Sequence, residues 1–135
     1  MINFTDKTPI NVSNLNAMQK KEIITGQECV TDEWIDGKQV YIKRINFGTL
    51  PDNTAALINT GLIVNEVQAI IRIQGMAYRK TDGQYIPLPL VSPESIGNNI
   101  MMVLVPQDEI YELRIQTGGD RSNMKAIIDI YYTKN

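Results

Sequence analysis

No histidine occurs in this 135-residue sequence, so its chemistry falls to carboxylates, lysines, tyrosines or the single cysteine, Cys29. The commonest general base and the commonest zinc ligand are therefore missing. Cys29 has no imidazole to activate it and reads more simply as a small, half-buried hydrophobe. A lone cysteine also rules out an intrachain disulfide framework. Metal binding or glycoside hydrolysis needs converging carboxylates, and the adjacent pairs here are Asp32-Glu33 and Asp108-Glu109. Neighbours on a strand point to opposite faces, so neither pair makes a two-carboxylate site. Asp108-Glu109, just after Pro106, reads as a solvated turn, and no EF-hand spacing is present. Thr117-Gly118-Gly119-Asp120-Arg121-Ser122 has the glycines of a phosphate loop but lies between two strands with no helix after it. It reads as a hairpin loop whose glycines accept positive φ. Its functional alternative is a surface loop that contacts a sugar or a protein through Asp120 and Arg121. Trp34, Tyr78, Tyr85, Tyr111, Tyr131 and Tyr132 each join an apolar face to a polar handle, suited to stacking on sugar rings or to packing cores and interfaces. The candidate ligand contacts are accordingly Tyr78, Tyr85, Asp120 and Arg121. No catalytic, cofactor-binding or metal-ligating residue is assigned.

The elements that must position these residues are mostly strands. Asp36-Gly37, between Trp34-Ile35 and Lys38-Gln39-Val40-Tyr41, is a type I′ hairpin signal, because both central residues need positive φ. Residues 39–47 form a strand rich in β-branched and aromatic side chains, ended by Gly48 and Pro51-Asp52-Asn53. Ala55 to Thr60 is a weaker strand closed by Gly61. Val67 to Gln74 follows, then Gly75 at a bulge or a close backbone approach. Met76 to Arg79 and Gln84 to Leu88 flank Thr81-Asp82-Gly83, a second hairpin. Ile100 to Val105 is an apolar strand. Ile110 to Thr117 alternates with Tyr111, Leu113 and Ile115 on its core face. Lys125 to Thr133 puts Ile128, Ile130 and Tyr132 on one face and Ile127, Asp129 and Tyr131 on the other. Strands at this spacing, with no helix-length segments between them, predict a mainly β fold: an antiparallel, jelly-roll-like β-sandwich over residues 28–135. Residues 1–27 form a separate polar region. There Thr8-Pro9-Ile10-Asn11 is extended, and Ser13 or Asn14 caps a short helix running to about Thr25, with Gly26 as its stop. Its apolar stripe, Leu15 and Met18, is thin, so the helix must dock on its own domain or on other copies. Leu15, Met18 and Trp34 are the candidate oligomer or junction residues.

The bulk properties narrow the classes further. Hydrophobic residues make up 43% and charged residues 21%, enough for an ordinary core. With 13 basic and 15 acidic residues scattered along the chain, no basic face for nucleic acid stands out. No apolar run is long enough to span a bilayer, and the amino terminus lacks a signal-peptide pattern, so synthesis and folding in a cytoplasm are expected.

Three collinear motifs carry a resemblance. Asp6-Lys7-Thr8-Pro9-Ile10-Asn11, with Asn14-Leu15-Asn16 and the helix, resembles an amino-terminal motif of tailed-bacteriophage fibre and baseplate proteins. Trp34 to Tyr41, then Ile45-Asn46-Phe47-Gly48-Thr49-Leu50-Pro51-Asp52-Asn53-Thr54, is similar to the opening of a carboxy-terminal module of such proteins. Ile115 to Ser122 and the terminal Ile130-Tyr131-Tyr132-Thr133-Lys134 are similar to its ending. Residues 55–105 match only in pattern. The resemblance implies a virion structural protein of a phage or prophage, made in the bacterial cytoplasm. It further implies a non-enzymatic fibre or baseplate tip that forms a homotrimer, assembles with other phage structural proteins and contacts a host-surface saccharide or protein. It implies no cofactor, nucleic acid or membrane insertion. The alternatives are a head fibre or adaptor without receptor binding, and a carboxylate-based polysaccharide depolymerase.

Overall fold

The computed structural model describes residues 21–135. Within them the chain is mainly β: β1 (Glu28–Ile35), β2 (Lys38–Thr49), β3 (Ala55–Ile63), β4 (Val67–Arg79), β5 (Tyr85–Leu88), β6 (Ile100–Gln107), β7 (Ile110–Thr117) and β8 (Met124–Lys134). Two antiparallel sheets result, one ordered β1-β2-β8-β4-β5 and the other β3-β7-β6. Among the described residues no helix is long and apolar enough to cross a membrane.

β8 organises the larger sheet, because it pairs with β2 on one side and β4 on the other. Its period-two pattern does what alternation demands: Met124, Ala126, Ile128, Ile130 and Tyr132 are buried, and the residues between them face the other way. Those buried side chains join Ile45 of β2, Ala77 of β4, Leu88 of β5, Ile100 of β6, and Leu113 and Ile115 of β7 in one apolar cluster. The cluster therefore draws on both sheets. The face of the five-stranded sheet turned away from it is called the outer face below.

Several local expectations are met. Asp36 and Gly37 both have positive φ, at 50° and 77°, and link Ile35 to Lys38 as a type I′ hairpin. Gly75 sits at a close approach: a Cβ there would lie 2.4 Å from Ile128 Cδ1 and 3.2 Å from the Ile127 carbonyl.

Others are corrected. Gly75 does not divide two strands, since β4 runs unbroken through it. Gly48 and Gly61 do not end β2 and β3 but lie inside them, Gly48 at the register shift after Asn46. Bulges absorb a glycine without ending the ladder. The segment 117–122 is not a hairpin loop, because β7 and β8 belong to different sheets and the segment crosses between them. Nor do Gly118 and Gly119 take a left-handed φ. They are small because backbone packs on them: a Cβ on Gly118 would meet the Ile96 carbonyl oxygen at 2.0 Å, and one on Gly119 the Gly97 oxygen at 2.6 Å. Of the expected helix, residues 13–20 lie outside the described residues, as do Leu15 and Met18. Residues 21–24 are not helical, and Gly26, at φ 84°, makes a turn with its N–H donating to the Arg44 carbonyl.

Candidate functional site

The outer face is built in rows set by register. Ile42 of β2, Tyr131 of β8 and Arg72 of β4 form the first row; Arg44, Asp129 and Gln74 form the second. Asn46, Ile127, Met76 and Pro87 form the third, and Lys125, Tyr78 and Tyr85 the fourth. Directly opposed residues in an antiparallel ladder project to one face, so each row is a line of neighbouring side chains.

The first row borders a hollow of its own, about 500 Å³, lined by Ile23, Thr31, Glu33, Ile42, Arg72 and Tyr131. The Arg72 guanidinium lies 3.9 Å above the Tyr131 ring centroid and donates two hydrogen bonds to the Glu33 carboxylate, at 3.0 and 2.9 Å. Glu33 belongs to β1, three places along the sheet from β4. On a flat sheet their backbones would stand about 14 Å apart. Glu33 lies within the register shift of β1 between Val30 and Trp34, a place where a bulge bends its strand. There the Thr31 hydroxyl donates to the Val40 carbonyl and accepts the Glu33 N–H. Ile42, with Ile23, Thr31, Glu33 and Arg72 gathered around it, is only 1% exposed although it lies outside the main cluster. The hydrogen bond from Arg72 holds the Glu33 carboxyl below the usual carboxylate range, and the same bond raises Arg72.

The third and fourth rows are open. Met76, Ile127 and Tyr78 are exposed, and Tyr85 is 69% exposed. The Tyr78 and Tyr85 rings meet as a tilted pair with centroids 5.1 Å apart. Beside them a shallow hollow of about 500 Å³ is lined by Arg44, Gln74, Met76, Pro87, Ile127 and Asp129. Its polar wall is fixed, because Arg44 donates from Nε and Nη2 to the two Asp129 oxygens at 2.8 and 2.9 Å. The Asp129 hydrogen bond raises the Arg44 pKa further. The turn that presents Tyr85 is fixed too: Arg79 donates to both Asp82 oxygens and to Gln84 Oε1, and Gly83 takes φ 72°. That bond to Arg79 holds the Asp82 carboxyl low. The surface carries two exposed phenols in contact with each other, with apolar side chains and hydrogen-bonding groups on the same face. It can stack on and hydrogen-bond to a flat amphipathic ligand.

Of the residues singled out in the sequence, the structure brings Tyr78 and Tyr85 together. Asp120 and Arg121 belong to a different cluster, where three chain segments are tied to one another. Asp120 accepts the Ser122 N–H and hydroxyl, which hold its carboxyl low. Arg121 donates to the Asn98 carbonyl at 2.9 Å, its own N–H bonds to Pro51, and the Asn53 N–H bonds to Gly119. The Asp120 carboxylate and Arg121 Nη2 thus serve the loop itself, while Arg121 Nε is buried without a partner. Trp34 is 62% exposed beside the Asp36-Gly37 turn. Met76, Pro87, Ile127, Arg44 and Asp129 were missed as site residues. Alternation had placed Ile127 and Asp129 on the second face of β8, but not the strands beside them. Among the described residues no three acidic or cysteine side chains converge on a position that could hold a metal ion. No protein-family model, curated protein or solved structure matches the chain.

Proposed function

We propose that this chain is a non-catalytic binding module of a phage virion, at the tip of a fibre or baseplate. In this reading its two sheets form an antiparallel sandwich, it works as a homotrimer, and it contacts a host-surface saccharide with the open half of its outer face. The observation that carries the reading is the Tyr78–Tyr85 pair, turned to solvent on the same face as the hollow walled by Arg44 and Asp129, and two rows from those two residues. Pyranose rings stack on exposed phenols while their hydroxyls bond to fixed polar groups. A shallow site of this sort binds weakly, and three copies on one axis turn weak sites into firm attachment. The phage assignment comes from the three sequence motifs.

The carboxylates weigh against a depolymerase. A glycosidase needs two carboxylates facing one another across the scissile bond, whereas Glu33, Asp82 and Asp120 are each engaged by a hydrogen-bond donor of their own. The test is adsorption of the purified protein to a panel of bacterial capsular and cell-wall polysaccharides. The wild type is expected to bind at least one, and Tyr85→Ala to bind at least tenfold more weakly with an unchanged circular dichroism spectrum. Adsorption to none of the panel or to host cells would favour the adaptor reading, and equal binding by Tyr85→Ala would remove the face from the account.

A further inference from the structure

Among the described residues four strands end a sheet, β6 with a bridge from Leu90 to its first residue, Ile100, and these edges are not alike. In the larger sheet, β1 carries Glu28, Asp32 and Glu33 and a register shift, and β5 is four residues long with a proline at Pro87. Charges, bulges, short length and proline are the features that stop an edge from pairing with another chain. In the smaller sheet, β3 has a register shift after Asn59 and β6 a proline at Pro106, but both strands are longer than β5 and neither carries a charge, reading Ala-Ala-Leu-Ile-Asn-Thr-Gly-Leu-Ile and Ile-Met-Met-Val-Leu-Val-Pro-Gln. On the side of that sheet turned from the cluster, the central strand presents Glu112, Arg114 and Gln116. Exposed apolar side chains lie only to either side of it, Leu57 on β3, and Met101 and Val103 on β6. Polar in the middle and apolar at both rims is the pattern of a sheet whose rims meet each other.

We propose that β3 of one copy pairs with β6 of a second copy, head to tail, so that the smaller sheets join into a closed ring. The count of three copies rests on the trimer reading above. Backbone phase sets the direction of that pairing. The Thr117 N–H bonds to the Thr54 carbonyl, so by alternation the free groups of β3 belong to Ala55, Leu57 and Asn59. Ile100 exchanges both of its bonds with Leu90, so the free groups of β6 belong to Met102 and Leu104. The free groups of β3 thus come from residues whose side chains face outward, and those of β6 from residues whose side chains face the core. An antiparallel joint between these edges would turn one copy inside out. A parallel joint keeps both outer sides together, as rotation about an axis along the strands requires. Leu57 then lies beside Met101, Val103 or Val105 of the second copy, and the exposed apolar rims cover each other.

The test is disulfide trapping in a Cys29→Ser background, with mass in solution measured by light scattering. Leu57→Cys is combined in turn with Met101→Cys, Val103→Cys and Val105→Cys, since adjacent parallel strands bring paired Cα atoms within disulfide range. One pairing is expected to give a covalent trimer on a non-reducing gel, with each single-cysteine variant running as a monomer. A covalent dimer from Leu57→Cys alone or Val103→Cys alone would overturn the joint in favour of a two-fold contact. A trimer in solution that no pairing traps would overturn the joint and leave the trimer reading standing. A monomer at every concentration would overturn both.

Discussion

Ile42 and Ile127 lie on the same face of the same sheet, and their surroundings are opposite. Around Ile42 the edge strand reaches inward: Glu33 of β1 bonds to Arg72, and Arg72 lies on Tyr131. Around Ile127 nothing does so, and Met76, Tyr78 and Tyr85 stay in contact with solvent. Both ends are built from aliphatic, aromatic and Arg–carboxylate parts and both border a hollow of about 500 Å³, yet Ile42 is 1% exposed and Ile127 46%. The difference teaches that neighbours, not residue type, decide how far an aliphatic side chain on this face is covered.

Stability measurements give the sharpest way to break this contrast. Ile42→Ala should destabilise by about 2–4 kcal/mol, the usual range for truncating a buried aliphatic residue. Ile127→Ala should cost less than about 1 kcal/mol, because its side chain is already half in water. Urea denaturation of the two variants decides the matter, and equal losses would mean that the two halves are not distinct. Gly75→Ala comes next. Its new methyl would press on Ile128, whose neighbour Ile127 lines the open hollow, and overpacking of this sort costs about 1–3 kcal/mol. A variant as stable as the parent would show that the sheet beneath the hollow gives way, against the close packing at Gly75.

Acid provides a smaller, local probe. β1 is tied down by Glu28 as well as Glu33. Burial alone would raise the Glu28 carboxyl, but hydrogen bonds from the Tyr132 hydroxyl and the Lys134 ammonium outweigh it, and the net shift is down from 4.5. Tyr132 in turn is raised, by burial first and then by its bond to Glu28. A carboxylate with a depressed folded pKa contributes stability that is present above its ordinary value and lost as pH falls through the folded value. Hydrogen-exchange protection in β1, taken relative to the intrinsic amide rate at each pH, should therefore fall as pH drops below about 4.5, and a Glu28→Gln, Glu33→Gln variant should lose that dependence. In the β4–β5 turn the corresponding residue is Asp82, and Asp82→Asn should act there and leave β1 alone. An acid response shared evenly by both ends in every variant would merge the regions the comparison separates.

Much of the fold could be read from alternation and turn chemistry. The two faces of β8 follow from Met124 to Lys134 taken two at a time, and the first hairpin follows from Asp36-Gly37. Gly75 was legible as a bulge or a close approach, and the tertiary packing of Ile128 beneath it selects the second. The site was legible only in part. Tyr78 and Tyr85 are opposed because a short turn fixes their register, which is local information. Glu33 and Arg72 meet across two intervening strands, and Arg44 meets Asp129 from 85 residues away. No local pattern encodes which strands become neighbours. The same limit explains the 117–122 segment. Its glycines suggested positive φ, but their small size answers to the backbone of Ile96 and Gly97, which only the tertiary fold brings there.

The central claim is that the open half of the outer face is where this protein meets its ligand. The most direct test is amide chemical-shift mapping of the isotope-labelled chain during titration with the polysaccharide that adsorbs it. Shifts confined to Gln74–Tyr78, Tyr85–Pro87 and Lys125–Asp129, with the amides around Ile42 and Asp120 unmoved, are the predicted result. Shifts centred on the 117–122 segment or on β1, with the Tyr78–Tyr85 strands silent, would contradict it.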